Sequence, residues 1–313
     1  MTFSPSDISY SLVKEATAGQ TPTSPALQRI DHIPNASVNF VTDMLASPVM
    51  KPNRAAGGSA KVKGRAEGEI GTHLHRTNSV DILLASALSG VWTETGDAGD
   101  DGDVLKGAAV DSSFTLEKKT GQGAGAYYTR ARGCQASGFT ISGAAGENIE
   151  ATFNLLGLSG DKVLTALAGA TYVDSDASTK LLGRHVTLSI GGLTIPYSTF
   201  ELSSEITKEV QYVFGDDAGV GVASSGSRNV ALNVTGFRKD LTPETLFNGE
   251  STVAITLTIV SADGDGYAFT IPAAMANNPQ DVEETDGVRV SLEFTASFDN
   301  TEQTDIKVIR HVA

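Results

Sequence analysis

Cysteine is nearly absent: Cys134 is the single one in 313 residues, so no intramolecular disulfide can form and stability must come from packing or from assembly. No apolar run approaches the ~18 residues of a membrane-spanning helix, so no membrane insertion is expected. Met1 to Tyr10 carries Asp7 and several hydroxyls without an apolar core, so no secretory signal is read there, and the glycosylation pattern Asn233-Val-Thr235 means little. Cations are also short. Lys and Arg total 23 against 37 Asp and Glu, a net charge of −14. Between Ser261 and Asp305 a lone Arg289 faces ten acids, Asp263, Asp265, Asp281, Glu283, Glu284, Asp286, Glu293, Asp299, Glu302 and Asp305. Grip on a nucleic-acid backbone comes mostly from Lys and Arg, so this balance repels DNA, while also serving solubility.

Recognisable catalytic chemistry is missing as well. There is no P-loop, no G-x-S-x-G elbow and no His placed by sequence beside a nucleophile, so no enzyme is read and no cofactor is expected. His73 and His75 sit two apart on a predicted strand, on one side, yet no Cys, Asp or Glu has matching ligand spacing; a surface or interface pair is the expectation, not a metal site. The run Asp97, Asp100, Asp101, Asp103 fails the calcium-loop register, because Gly99 stands where an oxygen ligand belongs and Ala108 where the closing Glu should be. Gly121, Gly123 and Ala126 loosely match a dinucleotide fingerprint, but the strand-like Tyr127-Tyr128-Thr129-Arg130 follows, and no helix N-terminus is available for a pyrophosphate.

What is present is strand patterning and glycine. The 33 glycines and 40% hydrophobic content suit a turn-rich chain with enough apolar surface for one large β domain or two smaller ones. The stretch Ser112 to Gly157 carries the clearest pattern: Ile149, Ala151, Phe153 and Leu155 alternate with Glu150, Thr152 and Asn154, and a turn-rich link joins them to Cys134 to Ser142 as a hairpin. Ser113 to Glu117 alternates in the same way. Residues 1–35 are polar, with Pro5, Pro22, Pro25 and Pro34, and read as an extended N-terminal arm that needs a neighbour to order it. Residues 36–313 read as a single β-rich domain.

Within that domain Ala36 to Ala46 predicts a strand with Val38, Phe40 and Thr42 on one face. Ser47 to Ala60 is then a long loop with apolar Val49 and Met50 at its start and Arg54, Gly57 and Gly58 further on; a loop over ~12 residues is usually functional or partner-bound. Lys61 to Thr72 alternates strictly. One face is small or apolar (Ala60, Val62, Gly64, Ala66, Gly68, Ile70), the other is Lys61, Lys63, Arg65, Glu67 and Glu69, and the small face invites close approach of another backbone. A helix over Val80 to Leu88 follows, capped by Asn78 or Ser79, with Trp92 extending its apolar stripe and Gly90 to stop it. A short helix is predicted from Thr242 with Pro243 at its first position to near Gly249, and another over Asp161 to Ala168. Strands are predicted over Arg184 to Ile195, Asn229 to Phe237, Ser251 to Val260, Tyr267 to Ile271, Val288 to Phe298 and Ile306 to Val312.

The order of these features, with Glu15-Ala16-Thr17 and Thr21-Pro22 in the arm, the long loop with Arg54, the small-faced strand leading into the helix, Ser113 to Glu117, Arg132-Gly133-Cys134-Gln135 and the ending Thr152 to Gly157, resembles the tail tube proteins of phages with long, flexible, non-contractile tails. Residues 171–227 fit the resemblance least, leaving room for a small insertion. The resemblance implies a mainly β fold of two packed antiparallel sheets, sandwich- or barrel-like, with a flanking helix and a long hairpin loop. It implies a subunit that forms rings, usually hexameric, stacked into a tube for genome ejection, alongside tail terminator, distal tail and tape measure proteins. Viral DNA would pass through without specific binding, and the subunit would belong to the virion after waiting in the host cytoplasm. Val49, Met50, Arg54, Gly57 and Gly58 then become subunit-interface candidates, and Glu67, Glu69 and Glu150 candidates for the lumen, although Lys61, Lys63 and Arg65 share the face of the first two. A virion decoration protein or host-binding adhesin of β-sandwich type is the alternative reading.

Overall fold

A computed structural model describes residues 3–34, 36–49, 51, 57–94, 103–175, 180–285 and 287–311. Its strands are β1 (Ile8–Lys14), β2 (Ala26–Ile30), β3 (Ser37–Ala46), β4 (Ser59–His73), β5 (Val104–Lys106), β6 (Phe114–Thr120), β7 (Tyr127–Ala144), β8 (Glu150–Gly157) and β9 (Ser159–Val163). They continue with β10 (Thr171–Val173), β11 (Val186–Ile190), β12 (Tyr197–Gln211), β13 (Gly221–Phe237), β14 (Val253–Val260), β15 (Gly266–Ala276), β16 (Gln280–Glu284), β17 (Gly287–Ala296) and β18 (Lys307–His311). Two α-helices, α1 (Asn78–Ala87) and α2 (Thr242–Asn248), interrupt them.

The protein is mainly β, with large antiparallel sheets joined through one long strand. The first sheet runs β10-β2-β1-β6-β7-β9, and among the described residues only its β10–β2 pair is parallel. The second runs β3-β4-β8-β7-β12-β13-β17-β15-β14-β11, with β16 beside the start of β17 and β18-β5 beside β15. The first part of β7 therefore pairs with β6 and β9, and its second part with β8 and β12. The change of sheet falls at Gly133, whose φ of 63° is open to glycine and where a Cβ would sit 2.5 Å from Leu158.

Alternation decides which face of these strands is buried. Ile149, Ala151, Phe153 and Leu155 are buried as the pattern predicts, while Glu150 is exposed and Thr152 and Asn154 are half-buried. The second sheet folds back over the resulting apolar face: Phe139 of β7 meets Phe153 of β8 and Phe269 of β15, each with ring centroids 6.3 Å apart. Helix α1 closes this core with Val80, Leu83, Leu84, Ala87 and Leu88. Its N-cap is Thr77, not Asn78 or Ser79: Thr77 Oγ1 accepts from the Val80 amide at 3.4 Å. Trp92 lies beyond the helix and donates from its indole N–H to the Asp81 carbonyl at 3.0 Å. At Gly90 the chain presses on β5, where a Cβ would come within 2.4 Å of the Lys106 carbonyl oxygen.

Four expectations need correction. The polar arm is not an extended segment awaiting a separate neighbour, since β1 and β2 form a hairpin zipped onto β6 of the same chain, from Ile8↔Thr120 to Lys14↔Phe114, and bury Tyr10, Leu12, Leu27 and Ile30. Four well-spaced apolar side chains suffice here because β6 supplies the ladder. Asp161 to Ala168 is not a helix; Ser159 to Val163 pairs with β7, and Arg132 reaches Asp161 at 3.3 Å. Arg184 does not open a strand, because residues 183–185 form a 3-10 turn and β11 stops at Ile190 before Gly191 and Gly192. Finally, β4 ends at His73, so the two histidines do not share a strand: His75 is buried, with Nδ1 2.6 Å from the His73 carbonyl oxygen and Nε2 3.7 Å from Asp31.

The small face of β4 is used within the chain. The Phe40 ring lies over Gly64, where a Cβ would be 2.5 Å from it, and β3 approaches Gly68 so closely that a Cβ there would stand 1.9 Å from the Ser37 carbonyl oxygen. Gly68→Ala must push two paired strands apart. We expect a loss of about 1–3 kcal/mol in unfolding free energy, read from a lower denaturant midpoint at unchanged slope; an unchanged midpoint would show that the β3–β4 ladder relaxes freely.

Candidate functional site: an acidic sheet face

The opposite face of the second sheet carries the chemistry. Cross-strand register aligns one row across six strands: His73 of β4, Glu150 of β8, Ser142 of β7, Glu201 of β12, Asn233 of β13 and Glu293 of β17. Two residues along lies Gly71, Thr152, Thr140, Ser203, Ala231 and Thr295, and the row after that holds Glu69, Asn154, Gly138, Glu205 and Asn229. Paired residues of a ladder point to the same side, so these rows form one wall, mostly of Glu, Ser, Thr, Asn and Gly, that ends on β4 at the half-buried His73 and at Gly71, which the Ile33 side chain covers. Behind it, Ile70, Phe153, Ile141, Leu202, Leu232 and Leu292 are buried.

Glu69, Glu150, Glu201, Glu205 and Glu293 are all exposed and make no ion pair among the described residues. Glu150, Glu201 and the neighbouring Glu147 share an open depression of about 790 Å³ with Ser142 and Asn233. Cations stand only at the borders of the wall. On β4 Arg65 is held by Glu67 at 2.7 Å and Asp43 at 3.1 Å, which raises its pKa, with the Glu67 hydrogen bond the largest cause. On β17 Arg289 stacks on Phe237, 5.0 Å from the ring centroid. Lys63, which alternation puts beside these residues, instead lies 4.9 Å over the Tyr212 ring.

Two hairpins project from the wall. The β3–β4 hairpin exposes Met44, Leu45, Val49 and Val62, and its end is closed by the Ser47 amide donating to the Gly58 carbonyl at 2.8 Å. Of the interface candidates, Val49 is exposed, Gly57 sits against Ser47 and the Val49 carbonyl, and Gly58 adopts φ 91°; Met50 and Arg54 lie outside the described residues. The β12–β13 hairpin runs past its neighbours and places Val213, Phe214 and Val220 in solvent. The sequence reading placed no strand over β12, although Phe200, Leu202 and Ser204 alternate there with Glu201, Ser203 and Glu205. Glu201 and Glu205 also escaped the sequence reading, and Glu293 was counted only among the acids; each stands next to a buried strand residue, Leu202, Ser204 or Leu292, and that alternation was the available signal.

Polar groups behind the wall hold α1 to the sheet. Lys208 Nζ is wholly buried, donating to Gln135 Oε1 at 3.0 Å and Asp111 Oδ1 at 3.1 Å, and burial lowers its pKa. Burial alone would raise the Asp111 carboxyl, but hydrogen bonds from Ser89, Lys208 and Ser224 and the lysine charge outweigh it and hold the pKa down. The Cys134 thiol is fully buried and its pKa is pushed far up by desolvation, which leaves it unreactive. Among the described residues no three His, Cys, Asp or Glu side chains gather to hold a metal, and no helix is long and apolar enough to cross a membrane.

β3, β9, β10, β11 and β16 each pair on one side only among the described residues, so the sheets are not closed. Open edges are templates for further strands. A family model described as phage tail tube protein matches residues 5–296. No curated protein matches the chain.

Proposed function

The chain belongs to the phage tail tube protein family and is a structural component of the virion tail, and on that premise we propose that its copies form stacked rings, six to a ring, around a channel for genome ejection. The acidic wall lines that channel. What carries this reading is the in-register row of Glu150, Glu201 and Glu293, spaced by Ser142 and Asn233, with no cation in it. Duplex DNA is held by counterion release to cations, so a wall of carboxylates, hydroxyls and amides, with no Lys or Arg and only the half-buried His73 at its β4 end, gives phosphates little to grip and lets the genome slide. Of the lumen candidates, Glu69 and Glu150 share this wall, and Glu67 stands at its border with its charge engaged by Arg65.

Open strand edges are completed by neighbouring copies, and the β3–β4 hairpin end, with Val49, Gly57 and Gly58, lies against an adjacent subunit. Tail terminator, distal tail and tape measure proteins are the expected partners at the ends and in the lumen, and the subunit waits in the host cytoplasm before assembly. No catalytic step is assigned.

Purified protein at high concentration should give rings or hollow filaments by negative stain; a monodisperse monomer would overturn the reading. The lumenal assignment has its own test. Glu201→Cys introduces one reactive thiol, because Cys134 is buried. A small maleimide should label it in monomer and tube alike, whereas a maleimide on a polymer too wide for the channel should label the monomer only. Equal labelling of tubes by both reagents would place Glu201 on the outside.

A further inference from the structure

The β12–β13 hairpin ends in an unusual feature: Phe214 is fully exposed, flanked by exposed Val213 and Val220, yet the turn that carries it is held firmly. The Gly64 amide donates to the Asp217 carbonyl at 2.9 Å, the Gly219 amide to the Leu158 carbonyl at 3.0 Å, and the Tyr212 hydroxyl to the Gly64 carbonyl at 3.4 Å. An aromatic knob fixed in water before it meets a partner loses little conformational freedom on docking. At the other end of the same strand lies a concavity of about 320 Å³, lined by Ala144, Ala145, Val186, Leu188, Tyr197 and Phe200. The Tyr197 hydroxyl is buried without a hydrogen-bond partner among the described residues, and desolvation pushes its pKa up to about 12. Charges match as well. Exposed Asp216 and Asp217 adjoin the knob, exposed Arg184 adjoins the concavity through Gly183, and none of the three has an ion-pair partner among the described residues.

We propose that Phe214 of one copy docks into the Val186–Tyr197–Phe200 concavity of a copy in the next ring, making the head-to-tail contact by which rings stack. The proposal rests on the tail tube reading. A knob and a hole at opposite ends of one strand cannot satisfy each other within a molecule; they make a heterologous contact, which propagates as an open filament. The size admits the ring with room for a flanking side chain, since an apolar cavity of about 150 Å³ already holds benzene. Geometry also sets a limit. Rotation about the tube axis leaves axial height unchanged, so the rise between rings equals the axial component of the vector from hole to knob in one copy. From Phe200 to Phe214 an extended chain reaches at most ~46 Å at ~3.3 Å per residue, so the rise is no larger than about that.

The test uses two variants of the full chain, both at exposed sites. Phe214→Asp removes the knob and Ala145→Trp fills the mouth of the hole. Each should melt like the unaltered protein, form rings, and raise the concentration needed for filaments by more than ~10-fold, the effect of losing a central aromatic anchor. An equimolar mixture retains one good knob and one good hole between unlike copies, and should give paired rings that do not elongate. Filaments from Phe214→Asp at the normal concentration, or a mixture that stays as single rings, would overturn the proposal while leaving the tail tube reading intact. Absence of both rings and filaments from the unaltered protein would instead remove the reading beneath it.

Discussion

Replacing Glu150, Glu201 and Glu293 together by lysine is expected to leave assembly intact and to convert the proposed channel wall into one that holds duplex DNA. All three side chains point away from the core, so the substitutions cost little folding free energy. Each copy changes its wall charge by about +6, from three carboxylates to three ammonium groups, and a ring multiplies this around the duplex. If roughly six phosphates are neutralised, retention should fall by about a thousandfold between ~50 mM and ~200 mM salt, following a slope of about −0.9 per contact. The measurement is DNA sedimenting with preformed tubes across a salt series, using linear and closed circular duplex. Linear DNA threads an open tube and circular DNA does not. Retention of linear DNA alone places the row in the lumen; equal retention of both forms would place it outside, and none for either would show that the row faces neither DNA nor solvent in the tube.

Glu15→Ala should produce the largest loss of folding stability of any single polar substitution considered, about 4 kcal/mol. Glu15 is buried where the hairpin β1–β2 crosses the junction of the two sheets. Its Oε1 accepts from Thr115 Oγ1 at 2.7 Å and the Gly133 amide at 3.0 Å, and its Oε2 from Ser113 Oγ and the Gly19 amide, each at 2.8 Å. Truncation leaves four donors facing a hole, each costing roughly 1–3 kcal/mol less whatever entering water restores. Glu15→Gln keeps the shape and one acceptor oxygen, and should lose about half as much. Denaturant midpoints measure the series, and cleavage between Lys14 and Pro25 should speed up in parallel, since that turn hangs on the carboxylate. A loss under ~1 kcal/mol for the alanine variant would show that the clasp is dispensable and that β1 is held by its ladder to β6 alone.

That clasp also shows where a sequence reading goes astray. Residues 1–35 look unable to fold because Ser, Thr and Pro dominate, yet Tyr10, Leu12, Leu27 and Ile30 are buried, since the partner that orders them is β6, some hundred residues on. Asp161 to Ala168 offers helix-forming residues, but Gly160 packed on Phe40 and the ladder to β7 override propensity. The long β12–β13 hairpin was hidden because Ser, Gly and Asn in Gly221 to Asn229 carry no alternation; its pairing with β12 is a matter of register and length.

The local properties were settled by the chain itself. Alternation of apolar and polar residues with period two needs only neighbouring side chains on a pleated backbone, so the buried face of β8, the existence of α1 and the scarcity of cations could be read directly. Which glutamates stand together could not. Positions 150, 201 and 293 become one row only through the pairing of β8, β7, β12, β13 and β17, and that register depends on bulges, hairpin lengths and the packing of Phe139 against Phe269. A shift of one residue in β8, β12 or β17 would turn its glutamate into the core, and the cost of burying that charge, added to those packing constraints over the whole fold, favours the register that makes the wall.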